Sequence, residues 1–128
     1  HQHLPEVLQV LGQDDGVAFV PVSGPWTRGI WGTAHVTSAR SGMDVGGMFE
    51  DAYADRPLVR LWPDRLPELR WSVGTPFCDI GWVVNGDHVV IGFALDNLVK
   101  GAAGQAVQNL NLLAGFPEAS GLVTNDAG

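Results

Sequence analysis

The 128-residue chain contains little of what several common functions require. Its one cysteine, Cys78, cannot form an intrachain disulfide, which fits a reducing, cytoplasmic compartment. Seven Lys and Arg residues stand against 14 Asp and Glu, for a net charge of −7, so the clustered cations that bind nucleic acid are missing. No apolar run approaches the length of a membrane span. The remaining composition is 45% hydrophobic and 16% charged, which predicts one globular domain over residues 1–128.

The hydrophobic pattern predicts both strands and helices. The clearest signal is a hairpin between 77–84 and 88–95, joined at Asn85-Gly86-Asp87, because Asn-Gly between two apolar runs is typical of a tight turn. No regular strand–helix–strand series follows, so we expect an α+β fold whose mixed, largely antiparallel sheet is covered by helices. Further strands are predicted over 17–22, 30–39, 58–62 and 69–73, and helices over 5–11, 44–54 and 97–114.

The last predicted helix contains an unusual stretch, DNLVKGAAGQAVQN at 96–109. One helical face carries Leu98, Ala102, Ala106 and Leu110, which predicts a packing face, and Asp96 or Asn97 would cap the start. Each glycine costs about 0.5–1 kcal/mol relative to alanine, so two in one turn indicate a close approach by another backbone or a ligand. A neighbouring helix packed tightly is the simpler alternative. The second stripe consists of Gly101, Gly104, Gln108 and Asn111.

Other side chains suggest chemistry. His1, His3 and Glu6 would converge near the start of the chain, as an acid/base group or, less favourably, a metal site; a frayed terminus is the alternative. Arg28, in the loop PWTRG, suits a carboxylate or phosphate, although such an arginine is often only solvated. Lys100 has the same two interpretations. Cys78 lies in an apolar strand without a base, so we expect a structural thiol beside a paired Asp79.

Four segments together resemble one family. They occur in the family's order and span residues 1–122, so the resemblance covers nearly the whole chain. The family is that of the N-acetyl-gamma-glutamyl-phosphate reductases, NADPH-dependent enzymes of arginine biosynthesis similar in plan to the semialdehyde dehydrogenases. The segments are HQHLPEV at 1–7, FVPVSGPWTRGI at 19–30, GTPFCDIG at 74–81 and DNLVKGAAGQAVQNLNLLAGFPEASGL at 96–122.

The resemblance implies the chemistry of an NADP-dependent acyl-phosphate reductase. A cysteine thiolate attacks the acyl phosphate, and hydride transfer to the thioester gives the semialdehyde. His3, with His1 near it, would manage protons, Glu6 would orient His3, and Arg28 would lie near the anionic end of the substrate. The last helix would face NADP and a Rossmann domain, with a homo-oligomer formed by the present domain. The implied cofactor-binding residues are Asn97, Gly101, Gly104 and Gln105.

The chain also departs from the family pattern. Neither the family's cysteine, which precedes the His motif, nor a Gly-x-Gly-x-x-Gly fingerprint is present, so we expect a piece of a larger reductase that is inactive alone. The missing cysteine and fingerprint leave a non-catalytic dimerisation or binding module open as an alternative. Departures on the substrate side leave open a reductase of carrier-protein-linked aminoadipyl or glutamyl phosphate. These departures are Leu4 for Thr, Val22 for His, Trp26 for Met and Pro76 for Asn.

Overall fold

The computed structural model describes residues 3–14, 16–37 and 42–123. Four strands form one sheet in the order β1-β4-β3-β2: β1 (Ile30–Thr37), β2 (Val59–Trp62), β3 (Cys78–Asn85) and β4 (His88–Leu95). The β1–β4 and β3–β4 pairs are antiparallel, whereas β2 runs parallel to β3. The predicted α+β class with a mixed, largely antiparallel sheet is therefore confirmed.

Helical segments alternate with these strands along the chain. They are α1 (Leu4–Leu11), α2 (Val45–Tyr53), α3 (Leu69–Ser72), a π-helical turn (Val99–Ala103) and α4 (Gly104–Ala114). Asp44 caps α2 by accepting a 2.9 Å hydrogen bond from the Gly47 amide. In the part of the chain that the structure describes, no helix is long and apolar enough to cross a membrane.

The β3–β4 hairpin confirms the prediction, with a change in the turn. Asn85 pairs with His88, so only Gly86 and Asp87 lie in the turn. Gly86 has φ +64° and Asp87 does not have positive φ. A positive φ at the first turn position only is the pattern of a type II′ turn, which places glycine there. Asn85 is thus the last paired residue of β3 and not part of the turn.

The hydrophobic core lies between α2 and one face of the sheet. Val45, Trp82 and Val89 are buried together, each less than a tenth exposed. Phe49 of α2 stacks on Trp82, with ring centroids 4.8 Å apart. The strand register places Ile91 on the same face as Trp82, and Ile91 packs on this cluster.

The segment between β2 and α3 covers the opposite face. A Cβ atom at position 81 would lie 2.1 Å from the Arg65 carbonyl oxygen, so only glycine fits beneath this backbone. The Trp31 indole donates a 2.8 Å hydrogen bond to the Pro67 carbonyl oxygen. These contacts connect β1 to the segment that covers β3 and β4.

Two predicted strands are wrong. Residues 17–22 carry no strand, since Pro21 lacks an N–H and β-branched residues form a strand only where a neighbouring strand pairs with them. The stretch predicted as a strand at 69–73 contains the short helix α3 instead. Its amides bond within a turn, from Trp71 to the Glu68 carbonyl at 3.0 Å and from Val73 to the Leu69 carbonyl at 3.1 Å. The last two residues of the strand predicted at 30–39 lie outside the described residues.

The last helix begins as a π turn and not as an α-helix. The Gly101 amide bonds to the Asp96 carbonyl at 2.8 Å, and the Ala103 amide bonds to the Leu98 carbonyl at 3.0 Å, both across five residues. Gly104 closes the turn by donating to the Val99 carbonyl. Gly115, with φ +73°, ends α4 as the sequence predicts.

The predicted packing face of this helix is wrong for the chain by itself. Leu98 and Leu110 are 54% and 61% exposed, whereas the buried residues of α4 are Gly104, Gln108 and Asn111. The reason is that the two amides bind the segment that follows the helix. Asn111 donates to the carbonyl oxygens of Glu118 and Ser120 at 3.0 and 2.9 Å.

The two glycines of the π turn should respond oppositely to alanine. A Cβ atom at position 104 would lie 2.7 Å from the Val99 carbonyl oxygen, so Gly104→Ala is expected to lower the free energy of unfolding by about 1–3 kcal/mol. At position 101 the nearest contact is an ordinary 3.4 Å, to Leu95. Gly101→Ala is therefore the matched control, expected to be neutral or stabilising by up to about 1 kcal/mol. Urea unfolding checks both, and equal effects would contradict the assignment.

Candidate functional site

The loop before β1 forms two clefts, one on each side of Arg28. The first has a volume of about 340 Å³ and is lined by Arg28, Trp31 and Asn97, among others. The second, of about 480 Å³, has Leu69 and Arg70 on its far side. Three residues line both clefts: Trp26, Thr27 and Arg28.

Asp96, at the end of β4, binds this loop from beneath. Its side chain is completely buried, and its Oδ2 accepts from Arg28 Nε at 2.7 Å and from the Gly74 amide at 2.6 Å. Arg28 Nη2 also lies 2.5 Å from this oxygen. The other oxygen, Oδ1, accepts from the Leu98 and Val99 amides at 2.8 and 2.9 Å. One carboxylate therefore joins the loop, the turn after α3 and the start of the π turn.

Asn97 makes a parallel contact with the same loop. Its Oδ1 accepts a 2.6 Å hydrogen bond from the Gly29 amide. Gly29 has φ +104°, and a Cβ there would lie 2.6 Å from Leu69 Cδ1, so this position requires glycine on both grounds. The dipeptide Asp96-Asn97 thus holds the dipeptide Arg28-Gly29.

Opposing effects act on the Asp96 carboxyl. Burial alone would raise its pKa, but hydrogen bonds from the Gly74 and Val99 amides, from Arg28 and from the Leu98 amide outweigh burial. The result is a pKa of about 2. Asp96 is therefore ionised across the physiological range, although its side chain has no contact with solvent.

Asp96 should make stability depend on pH. The unfolded carboxyl, with a pKa of 3.8, takes up a proton before the folded one, whose pKa is about 2. The stabilisation is therefore complete well above pH 4 and lost as the pH falls through 2, at about 1.4 kcal/mol per pKa unit, or about 2.5 kcal/mol in all. Urea unfolding from pH 6 to 2.5 should show the difference between the native chain and Asp96→Asn shrinking by about 1.5 kcal/mol, because the folded carboxyl is still largely ionised at pH 2.5. A constant difference would contradict this.

His3 and Glu6 meet at the start of α1. His3 Nδ1 lies 2.9 Å from Glu6 Oε2, and the two side chains are 53% and 72% exposed. His1 lies outside the described residues. The pair thus has the geometry of an oriented imidazole in contact with water. Among the described residues, no group of three His, Cys, Asp or Glu side chains is arranged to hold a metal ion.

The residues predicted to bind the cofactor differ in accessibility. Gly101 is exposed, and Gln105 donates from Nε2 to Asn109 at 3.0 Å. Gly104 is buried against the carbonyl of its own π turn, and Asn97 lines the first cleft. The structure therefore brings Asn97 to Arg28, whereas Gly101 and Gln105 lie further along the helix.

Lys100 and Cys78 are both partly buried, in surroundings that suit a structural role. Lys100 donates a 2.6 Å hydrogen bond to Gln108, which in turn donates to Glu118 at 2.5 Å. Burial lowers the pKa of Lys100 and raises that of the Cys78 thiol. A thiol with a raised pKa is a poor nucleophile, in agreement with the structural role predicted for Cys78.

A family model for the dimerisation domain of semialdehyde dehydrogenases matches residues 1–97. The chain belongs to this family. The resemblance drawn from the four sequence segments is thereby confirmed.

Members of this family that carry a curated name agree with one another. An N-acetyl-gamma-glutamyl-phosphate reductase of Vibrio parahaemolyticus is 44% identical over 125 residues, or 96% of this chain and 37% of the relative. The enzyme of the same name from Escherichia coli is 43% identical over the same shares. A third, from Streptococcus mutans, is 45% identical over 94% of this chain and 38% of the relative. The chain thus spans well under half the length of these relatives.

Proposed function

We propose that this chain is part of an enzyme that reduces N-acetyl-gamma-glutamyl phosphate to N-acetylglutamate semialdehyde with NADPH, in the cytoplasm and for arginine biosynthesis. The observation that carries the proposal is the 44% identity, over 96% of the chain, to a reductase named for that substrate. This sequence identity is high for an alignment that includes the loops, where substrate-binding residues concentrate.

His3 is the proposed general acid and base, with His1 near it. It manages protons at the catalytic thiol and at the hemithioacetal oxygen. Glu6, 2.9 Å from Nδ1, orients the ring for this proton transfer. Arg28 receives the anionic end of the substrate, because it lies between two clefts and carries a permanent charge.

The last helix is the proposed contact with NADP and its domain. Asn97, Gly101, Gly104 and Gln105 contribute to the cofactor side, Gly104 through the shape of the π turn and not through a free surface. The apolar face next to them is large and exposed, with Leu110 at 61% and Leu113 at 88%. Such a surface is uncommon on an isolated domain and suits coverage by a Rossmann domain.

The sheet face beside α2 is the proposed homo-oligomer contact. The strand register places Ile30, Ala34 and Val36 of β1 on this face, and Ile30 and Val36 are 45% and 43% exposed. An apolar strip of this kind at the edge of a sheet suits a second copy of the chain.

Two alternatives keep specific support. The departures at Val22 and Trp26 lie in or beside the Arg28 clefts and would suit an altered acyl group, as in a carrier-protein-linked substrate. The net charge of −7 opposes this alternative, since carrier proteins are themselves acidic. A non-catalytic dimerisation module is the second alternative.

An assay in the direction of semialdehyde oxidation tests the proposal. The 128-residue chain and the full-length enzyme that carries it are each given NADP, inorganic phosphate and N-acetylglutamate semialdehyde. Phosphate-dependent NADPH formation is expected from the full-length enzyme and not from the chain alone, which carries no nucleophile for the reaction. Absence of activity in the full-length enzyme would favour the non-catalytic module, and turnover by the chain alone would overturn the assignment of the nucleophile to another segment.

A further inference from the structure

The two clefts beside Arg28 are lined in a way that suits an anion. Arg28 is the only charged side chain among the described residues that line the first cleft. The second adds Arg70 and no carboxylate. Arg28 pairs with Asp96 and Arg70 pairs with Glu68, so the clefts offer guanidinium N–H donors to an anion and not a net positive charge.

Arg28 is only partly engaged by its buried partner. A guanidinium has five N–H donors, and the structure directs the one on Nε and one of the two on Nη2 to Asp96. Three donors remain on a side chain that is 35% exposed. Asp96 also accepts from three backbone amides, which fix the carboxylate that holds Arg28.

From this geometry we propose that Asp96 is a positioning residue for anion binding. It holds one edge of the Arg28 guanidinium so that the remaining donors present a fixed fork to a carboxylate or phosphate in the adjoining clefts. This inference rests on the proposed function in taking the substrate's anionic end as the ligand. Fixing the fork before binding removes the cost of ordering a flexible arginine on each encounter.

The Asp79–Arg60 pair provides an internal comparison. Asp79 is also completely buried, and it accepts from Arg60 Nε and Nη2 at 2.7 Å each. Arg60, however, also donates to the Trp71 carbonyl at 2.8 Å and lies 4.5 Å over the Phe77 ring. The Arg60 guanidinium is therefore engaged in contacts within the fold, and among the described residues Arg60 lines neither cleft. Asp79 therefore matches Asp96 in burial and chemistry without the connection to Arg28.

The test compares Asp96→Asn with Asp79→Asn in the full-length enzyme. Asp96→Asn is expected to raise the KM for phosphate or for the semialdehyde at least tenfold, with kcat changed less than threefold. A rise for phosphate assigns Arg28 to the phosphate, and a rise for the semialdehyde assigns it to the carboxylate. Asp79→Asn should lose comparable stability and leave both KM values within twofold. A rise of equal size in Asp79→Asn, or no rise in Asp96→Asn, would overturn the proposal.

A second set of variants separates positioning from folding. Arg28→Gln should raise the same KM, and Asp96→Asn combined with Arg28→Gln should raise it no further, because Asp96 acts through Arg28. If Asp96→Asn does not fold, Arg28→Lys decides the question. A lysine ammonium keeps the ion pair with Asp96 but lacks the outward pair of N–H donors that an arginine offers to an anion. A raised KM with native stability would therefore support the proposed geometry of Arg28, and an unchanged KM would refute it.

The outcome remains distinguishable from a failure of the proposed function. If the native enzyme shows no reductase activity, titration with inorganic phosphate and with N-acetylglutamate replaces the assay, read by tryptophan fluorescence because Trp26 and Trp31 line the first cleft. Saturable binding that Asp96→Asn and Arg28→Gln abolish and Asp79→Asn retains supports the inference on its own. No binding by the native protein overturns it.

Discussion

Replacing Asp79 by alanine is expected to lower the free energy of unfolding by about 3–5 kcal/mol, because Arg60, 34% exposed, loses its ion-pair partner and the fully buried Ser72 hydroxyl loses its acceptor. The Asp79 side chain is completely buried and accepts hydrogen bonds from Arg60, from Trp62 Nε1 at 2.8 Å and from Ser72 Oγ at 2.5 Å. Burial by itself would raise the pKa of Asp79, but these partners lower it overall. Urea unfolding at neutral pH measures the loss.

A surface pair provides the control for this prediction. Glu68 and Arg70 form a 2.7 Å ion pair whose side chains are 45% and 76% exposed. Glu68→Ala should therefore change stability by less than about 1 kcal/mol, since solvent screens the pair. If Asp79→Ala lowered the free energy of unfolding no more than Glu68→Ala, water would have replaced Asp79 as the partner of Arg60. The Asp79 cluster would then not stabilise the domain.

Replacing His3 by glutamine in the full-length enzyme is expected to lower kcat/KM by about 10²–10⁴-fold, the usual contribution of a general acid/base. Glutamine keeps hydrogen-bonding capacity but cannot carry a proton between groups. Glu6→Gln should lower kcat/KM less, because it removes only the charge that orients the ring across 2.9 Å. Steady-state kinetics measures both effects.

His88→Gln is the matched control. His88 is also exposed, and it contacts Thr37 Oγ1 at 3.3 Å across the β1–β4 pair, far along the chain from α1. It should leave kcat/KM within about twofold, as expected for a surface substitution away from a site. Equal losses in the two variants would remove His3 from the mechanism.

Local signals predicted the elements whose structure depends on neighbouring residues. The hairpin, α1, α2 and the end of the last helix follow from apolar periodicity and from Gly12, Gly86 and Gly115, which have positive φ. The failures share one cause. Residues 17–22 have strand propensity but no partner strand in the described part of the chain, and α3 turns where Ser72 can reach Asp79.

In the candidate site, too, the sequence predicted local features but not the contacts between distant residues. The sequence indicated Arg28, the His3–Glu6 pair and a cap at Asp96 or Asn97 from residue type and spacing alone. It did not indicate that Asp96 caps the π turn and holds Arg28 with the same carboxylate, because those two residues are 68 positions apart. The sequence also did not predict the close approach of the Arg65 carbonyl to Gly81, since a glycine in a strand has several explanations.

The sequence by itself determined the family, the hairpin, the main helices and the residue types available for acid/base and anion chemistry, since these depend on local pattern and on long ordered motifs. Only the tertiary structure decided which face of the last helix is buried, that its glycines shape a π turn, and that Arg28 is anchored by a buried carboxylate. The physical reason is that burial and hydrogen-bond partners are set by which distant segments meet. Gln108 and Asn111 took the inward face of the helix because Glu118 and Ser120 fold back onto them, which leaves the leucines exposed.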